Sequence, residues 1–283
     1  MNSLLVFEDF LLAKELQGVS PNTLLRYHYS IEKLLTELGD ADIQAISTTD
    51  IRRRLSKKTY GQVSLGMDIK NLKTFFRWTC LEGYRDDDPM IRVPMPKTPE
   101  RPCKAICDAD MAKLINVAKR SKRDLSILLC LLDTACRATE LAKIELSEVD
   151  FQTGTIRIKC GKGGKSRNVF ISPLTARAIR VYLNSRHDND PSLFISQRGV
   201  PLNRDSLRLI MYRLCERAGI KKFGPHAVRH SAATSMARQG IDSWSLQQLL
   251  GHADNRVSLR YIWLSSRNLQ EAHQKYSPVS TIL

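Results

Sequence analysis

Apolar residues recur every three to four positions along most of this chain, and that period predicts a largely helical protein. Phe7, Phe10, Leu11, Leu12 and Leu16 mark a first helix. Ser20-Pro21 reads as an N-cap with proline at the first helical position, opening a second helix through about Leu38. A short basic helix starts at Thr49-Asp50 and carries Arg52, Arg53, Arg54, Lys57 and Lys58. A longer one, from about Tyr60 to Leu81, sets Leu65, Ile69, Leu72, Phe75, Phe76 and Trp78 on one side. Four helices with short connections make a small all-α domain over residues 1–85. Residues 86–102 then contain prolines at 89, 94, 96, 99 and 102, which exclude helix and favour extended backbone, so this stretch reads as a linker.

Helical spacing resumes over 108–120 and 124–136, with a short helix over 140–146. Residues 155–160 and 167–171 alternate like strands and are joined by the glycine-rich turn 161–165. Helices return over 173–186, 204–218, 226–239, 243–250, 255–262 and 267–276. The fold class is mainly α with a small antiparallel β-sheet: an all-α N-terminal domain, the linker, and an α+β domain over 103–283.

Charge changes the picture. The formal net charge is +15, and it is uneven: residues 1–102 carry 15 basic and 14 acidic side chains, residues 103–283 carry 29 and 15. Such an excess argues for a polyanionic partner and says nothing about fold; nucleic acid fits best. The seven cysteines are an odd number and lie mostly in apolar helical stretches, which points to reduced thiols in an intracellular protein. Cys103 and Cys107 have no second pair to complete a zinc site. No stretch approaches the roughly 18 apolar residues of a membrane span, so a soluble, cytoplasmic protein is expected.

The candidate chemistry centres on Tyr261 and on the cations and imidazoles that precede it: His252, Arg229, His226, Lys162 and Arg137. Guanidiniums fork onto two non-bridging phosphate oxygens, a tyrosine can carry a phosphate covalently, and an ammonium can give a proton to a departing sugar oxygen. Together they suit attack on a phosphodiester without a metal. Arg137 closes an apolar helix, where a guanidinium needs an anionic partner. Glu140, three residues on, can orient it from the same helix face; a structural ion pair is the plain alternative. His226 and Arg229 share one helix face. His226 and His230 stand four apart, but no glutamate lies between them and Arg229 would repel a cation, so no metal is expected. His252 follows Gly251, which permits close approach of backbone to a ligand. Lys162 lies in the hairpin turn with Lys165 as its competitor, and nothing in the turn's composition separates them. In the N-terminal helices, Arg52, Arg53, Lys57, Lys70, Lys73 and Arg77 can line a DNA-facing side or an ordinary solvated face.

The stretches Thr134-Ala135-Cys136-Arg137-Ala138-Thr139-Glu140-Leu141, Gly161-Lys162-Gly163-Gly164-Lys165 and Pro225-His226-Ala227-Val228-Arg229-His230 resemble the tyrosine recombinase (phage integrase) family, as does Leu249-Leu250-Gly251-His252 with Tyr261 nine residues later. The resemblance is closest to the short Xer-like members and spans nearly the whole chain. Two departures stand out: Ala135-Cys136 replaces the usual Gly-Leu, and Ile262-Trp263 follows the tyrosine where Thr-His is frequent. The resemblance implies a helical DNA core-binding domain and a catalytic domain that close around double-stranded DNA. Tyr261 would be the nucleophile of a 3′-phosphotyrosyl intermediate, Lys162 the acid, and His252 a donor to a non-bridging oxygen, with no metal, ATP or cofactor. It further implies a homo-tetramer on two DNA sites that exchanges strands through a Holliday junction, with the tail over 266–283 docking on a neighbouring subunit. Type IB topoisomerase-like relaxation and a catalytically inactive DNA-binding regulator are the alternatives.

Overall fold

Asn2 opens the chain's first helix by accepting from the Leu4 and Leu5 amides at 3.0 and 3.1 Å. That helix, α1, runs Ser3–Leu16. The second helical stretch is broken into α2 (Pro21–Tyr27), a π-helical turn (His28–Glu32) and α3 (Lys33–Glu37). The turn has a cause that periodicity does not reveal. Ser30 donates to the Arg26 carbonyl at 2.7 Å, and buried Asn71 donates to the Ser30 hydroxyl at 2.8 Å, so a polar pair occupies the bulge. α4 (Thr48–Ser56) starts with a reciprocal Ser47–Asp50 capping box, and α5 spans Gln62–Leu81. Phe10 anchors the core, meeting the rings of Tyr27, Phe75 and Trp78 at 5.0, 5.3 and 5.3 Å.

The computed structural model describes residues 1–39, 41–57, 61–97, 105–159 and 166–251. It divides the chain into two compact units, Met1–Arg101 and Pro102–Leu283. Much of the stretch read as a linker belongs to the first unit. Met90 and Val93 are buried in its core, Thr48 donates to the Pro89 carbonyl at 2.8 Å, and Arg52 donates to the Arg92 carbonyl at 2.7 Å. Prolines exclude helix here, yet they do not prevent apolar neighbours from packing. Residues 98–102 lie outside the described residues.

The second unit is arranged around α7 (Lys122–Thr134), whose Ile127, Leu128, Cys130 and Leu131 are fully buried. α6 (Asp108–Ala118), α9 (Pro173–Leu183) and α11 (Pro225–Arg238) pack on it, and α10 (Arg204–Arg217) packs on α6 and α11. Three antiparallel strands form the sheet: β1 (Val149–Asp150), β2 (Thr155–Ile158) and β3 (Arg167–Phe170). Ile158 pairs with Arg167, which sets Arg167 at the mouth of the hairpin. β1 was not expected, since two residues are too few to show alternation. α8 is Ala138–Leu141 and is followed by a 3-10 turn at Leu146–Glu148, in place of the single helix expected over 140–146. α12 (Ser243–Leu250) ends the described part. The stretches expected as helices over 255–262 and 267–276 lie outside it.

Candidate active site

The site begins where α7 stops. Thr134 turns its hydroxyl back to the Cys130 carbonyl at 2.6 Å, and Ala135 takes a left-handed conformation at φ 46°. Ala135 is the one non-glycine residue with positive φ among the described residues. The helix expected through Cys136 therefore ends two residues early, and Arg137 stands at the N-cap of α8 instead of closing α7. The backbone reversal delivers Arg137 and Glu140 to the same place: the Arg137 amide donates to Glu140 Oε2 at 2.8 Å and its Nη1 donates to Oε1 at 2.8 Å.

Glu140 is buried and gathers three guanidiniums. Besides Arg137, Arg167 forks onto it with Nη1 and Nη2 at 3.1 and 2.8 Å, and Arg229 Nη1 lies 4.0 Å from Oε2. The same three arginines hold the end of α12. Arg167 Nε donates to the Leu249 carbonyl at 2.9 Å, Arg229 Nη2 to the Leu250 carbonyl at 2.8 Å, and Arg137 Nη2 to the Gly251 carbonyl at 3.1 Å. Three successive carbonyls that the helix leaves over thus each meet a cation, at the end where its dipole favours positive charge. Gly251 is left-handed at φ 62°, and a Cβ there would lie 2.8 Å from Arg167 Nη1. Any larger residue would have to push that guanidinium aside, and the left-handed backbone favours glycine as well.

The electrostatics are lopsided. For Glu140, burial pushes the carboxyl up, but the hydrogen bonds from Arg167 and from the Arg137 amide outweigh it and hold it down at about 2. For Arg229, burial and the positive charge of Arg137 outweigh Glu140 and push the guanidinium down to about 10. It remains charged at neutral pH. One carboxylate does not neutralise three guanidiniums, and the surplus positive charge is what an incoming phosphate would relieve. Arg137 is the accessible member, with 39% of its side chain exposed; the side chains of Arg167 and Arg229 show 12% and 4%.

His226 opens α11 and reaches solvent, yet its imidazolium is disfavoured by partial burial first, then by the charges of Arg229 and Arg137. It is neutral at pH 7, with a ring nitrogen free to accept a proton. His230 stands edge-on to it at 4.7 Å between ring centroids. The structure thus unites Arg137, Glu140, His226 and Arg229. Lys162, Lys165, His252 and Tyr261 lie outside the described residues. Reading the sequence missed Arg167: an arginine on a short alternating strand carries the pattern of a solvated face.

In the first unit, Arg52 serves the chain's own backbone at Arg92, as described above, and Arg54 is paired with Glu37. Arg53 is exposed on α4 and Lys57 just past its end, and Lys70, half-buried Lys73 and Arg77 follow one another along the outer side of α5. None of these five enters an ion pair among the described residues. Lys58 lies outside them.

Comparison with known proteins gives a consistent result. The family model described as the phage integrase family matches residues 104–267. The tyrosine recombinase XerA of Thermococcus onnurineus is 31% identical, covering 95% of this chain and 94% of that one. Among solved structures, a XerA recombinase crystal structure has 28% identity and a TM-score of 0.56, covering 98% of this chain and 99% of that one. The Tn1549 transposon integrase in complex with a circular intermediate DNA matches over the full length of both chains with a TM-score of 0.81; at 17% identity that likeness concerns the fold.

Proposed function

The chain belongs to the phage integrase family, and on that premise we propose that it is a site-specific DNA recombinase that cuts and rejoins strands through Tyr261. The observation that carries the reading is the surplus of positive charge at Glu140: three guanidiniums around one carboxylate, with the accessible Arg137 outermost. A scissile phosphate supplies the missing negative charge, and the guanidinium fork matches two of its oxygens. The charge is fixed before the reaction begins, so it stabilises the pentacoordinate transition state without reorganising.

Bonds and protons balance as follows. The Tyr261 oxygen bonds to phosphorus, and its phenolic proton passes to a base, for which neutral His226 is suited. The bond from phosphorus to the 5′ oxygen breaks, and Lys162 gives that oxygen a proton, with Lys165 the alternative donor. His252 donates to a non-bridging oxygen. A 5′-hydroxyl from a partner duplex reverses the sequence and joins the new strand, so the phosphotyrosyl bond keeps the diester's energy and no ATP is consumed.

Around this site the reading sets a homo-tetramer on two DNA sites, strand exchange through a Holliday junction, and a tail over 266–283 that docks on a neighbour. Exposed Arg53, Lys57, Lys70 and Arg77 and half-buried Lys73 meet the DNA backbone from the first unit, whereas Arg52 has a structural task. No described helix is long and apolar enough to cross a membrane, and the enzyme works in the cytoplasm beside its DNA.

The test is a trap. Full-length protein mixed with fragmented genomic DNA and denatured rapidly should retain a covalent DNA adduct, whose sequencing identifies the target. Tyr261→Phe should bind the recovered duplex as the parent does and form no adduct. An adduct on the Phe variant would move the nucleophile elsewhere, and relaxation of supercoiled DNA without strand-exchange products would point to a topoisomerase.

A further inference from the structure

Arg137 and Arg229 each have a part assigned in the proposed chemistry, while Arg167 has none. Yet all three nitrogens of the Arg167 guanidinium are engaged. Nη1 and Nη2 fork onto Glu140 at 3.1 and 2.8 Å, and Nε donates to the Leu249 carbonyl at 2.9 Å. Its side chain is 12% exposed and lies against the face of Gly251, where even a methyl group would collide with it. A guanidinium engaged on both edges and covered by backbone has no free edge for a phosphate. Arg137, at 39% exposure, is the one open to solvent.

Arg167 also joins three elements that the chain supplies from far apart. It begins β3, directly after the turn that bears Lys162 and Lys165. It holds Glu140 of α8, which in turn orients Arg137 through both side chain and backbone. And it caps the end of α12 at the Leu249 carbonyl, two residues before Gly251 and three before His252 in sequence. β3 and α12 pack together at this point. A lysine could reach one of these acceptors but not all three, since it lacks the planar fork.

We propose that Arg167 is a positioning residue for strand cleavage, which locks Glu140 and the end of α12 into one frame and so aligns the groups that receive the phosphate. The inference rests on the proposed role of the Arg137 cluster, and its own contribution is separable. Removing Arg167 leaves the exposed cation of Arg137 in place to attract DNA but frees Glu140 and the α12 terminus to drift, and small misplacements of this kind cost on the order of 10²-fold in rate. It also removes the hydrogen bonds that do most to keep Glu140 ionised, so the carboxylate protonates at a higher pH than in the parent.

The experiment measures adduct formation in a single turnover on the duplex recovered from the Tyr261 trap, for the full-length parent, Arg167→Ala, Arg167→Lys and Arg137→Ala. Both Arg167 variants should bind the duplex within about 3-fold of the parent and cleave it ~30- to 100-fold more slowly. Millimolar guanidinium should restore part of the rate to Arg167→Ala. Arg167→Lys keeps the charge, so it supplies the reading if the Ala variant fails to fold. Parent-like cleavage by both variants while Arg137→Ala is inactive would overturn this inference alone. So would a slow rate in both variants with no rescue of Arg167→Ala by guanidinium. Parent-like cleavage by Arg137→Ala would instead overturn the proposed function on which the inference stands.

Discussion

Ala135 illustrates how much one backbone angle decides. A left-handed alanine costs roughly 1–2 kcal/mol relative to an ordinary one, and the chain accepts that cost to turn sharply between α7 and α8. The family's usual glycine at this position now has a physical reason. Even so, Ala135→Gly should change stability by less than about 1 kcal/mol. Relief of the strain is offset by losing a fully buried methyl, ~0.8 kcal/mol, and by ~0.4–1 kcal/mol of added freedom in the unfolded chain. Ala135→Val has no such compensation: a β-branched side chain resists this conformation and overfills a closed site, for a loss of about 3 kcal/mol. Urea midpoints for the two variants check the pair, and a tolerated valine would show that the turn relaxes. Glu140 sets a second expectation. Its native pKa of about 2 lies below the ordinary 4.5, so the unfolded chain binds the extra proton in between. Stability from this group is complete above pH 4.5 and is lost as pH falls toward 2, on the order of 3 kcal/mol before the burial cost borne by Arg229 is set against it. Parent and Glu140→Gln should therefore converge in urea resistance between pH 5 and 2.5; parallel curves would contradict the assignment.

At the scale of elements, long helices were legible because burial of apolar positions enforces their period, and α1, α5, α10 and α11 lie close to where the apolar spacing put them. What escaped was decided by contacts distant in sequence or by single angles. The π-helical turn depends on Asn71, 41 residues from Ser30. α7 ends early because of Ala135. The packing of 86–97 depends on Met90 and Val93 finding a core, which a run of prolines conceals. In the site, Arg137, Glu140, His226 and Arg229 could be named from residue type and spacing, and the structure unites them. Arg167 could not, because its three acceptors come from α8 and α12. The hairpin carries its own prediction. If Lys162 protonates the leaving oxygen, Lys162→Ala should cleave ordinary DNA slowly but act at near-parent rate on a duplex whose 5′-bridging oxygen is sulfur, which departs without a proton. Equal defects on both substrates would transfer the role to Lys165.

For the whole molecule the deciding feature is where the charge sits. Residues 103–283 hold nearly all of the surplus, 29 basic against 15 acidic side chains, while residues 1–102 are close to neutral. Part of the larger surplus is committed internally, at Glu140 and at the end of α12. The first unit therefore contributes to DNA binding only if its few cations are concentrated on one side. Lys70, Lys73 and Arg77 meet that requirement: they recur at i, i+3 and i+7 on α5, opposite the face that buries Leu72, Phe75 and Phe76. Each such side chain that neutralises a phosphate releases a condensed counterion and adds about 0.9 to the slope of log K against log salt. Replacing all three by glutamine should thus lower that slope by roughly 2.7. Adduct yield at low salt and saturating protein should stay at the parent level, because none of the three belongs to the cluster around Glu140. A solvated face with no DNA task would leave the slope unchanged. An unchanged slope in the triple variant would remove α5 from the DNA contact and leave binding to Arg53, Lys57 and the second unit's charge.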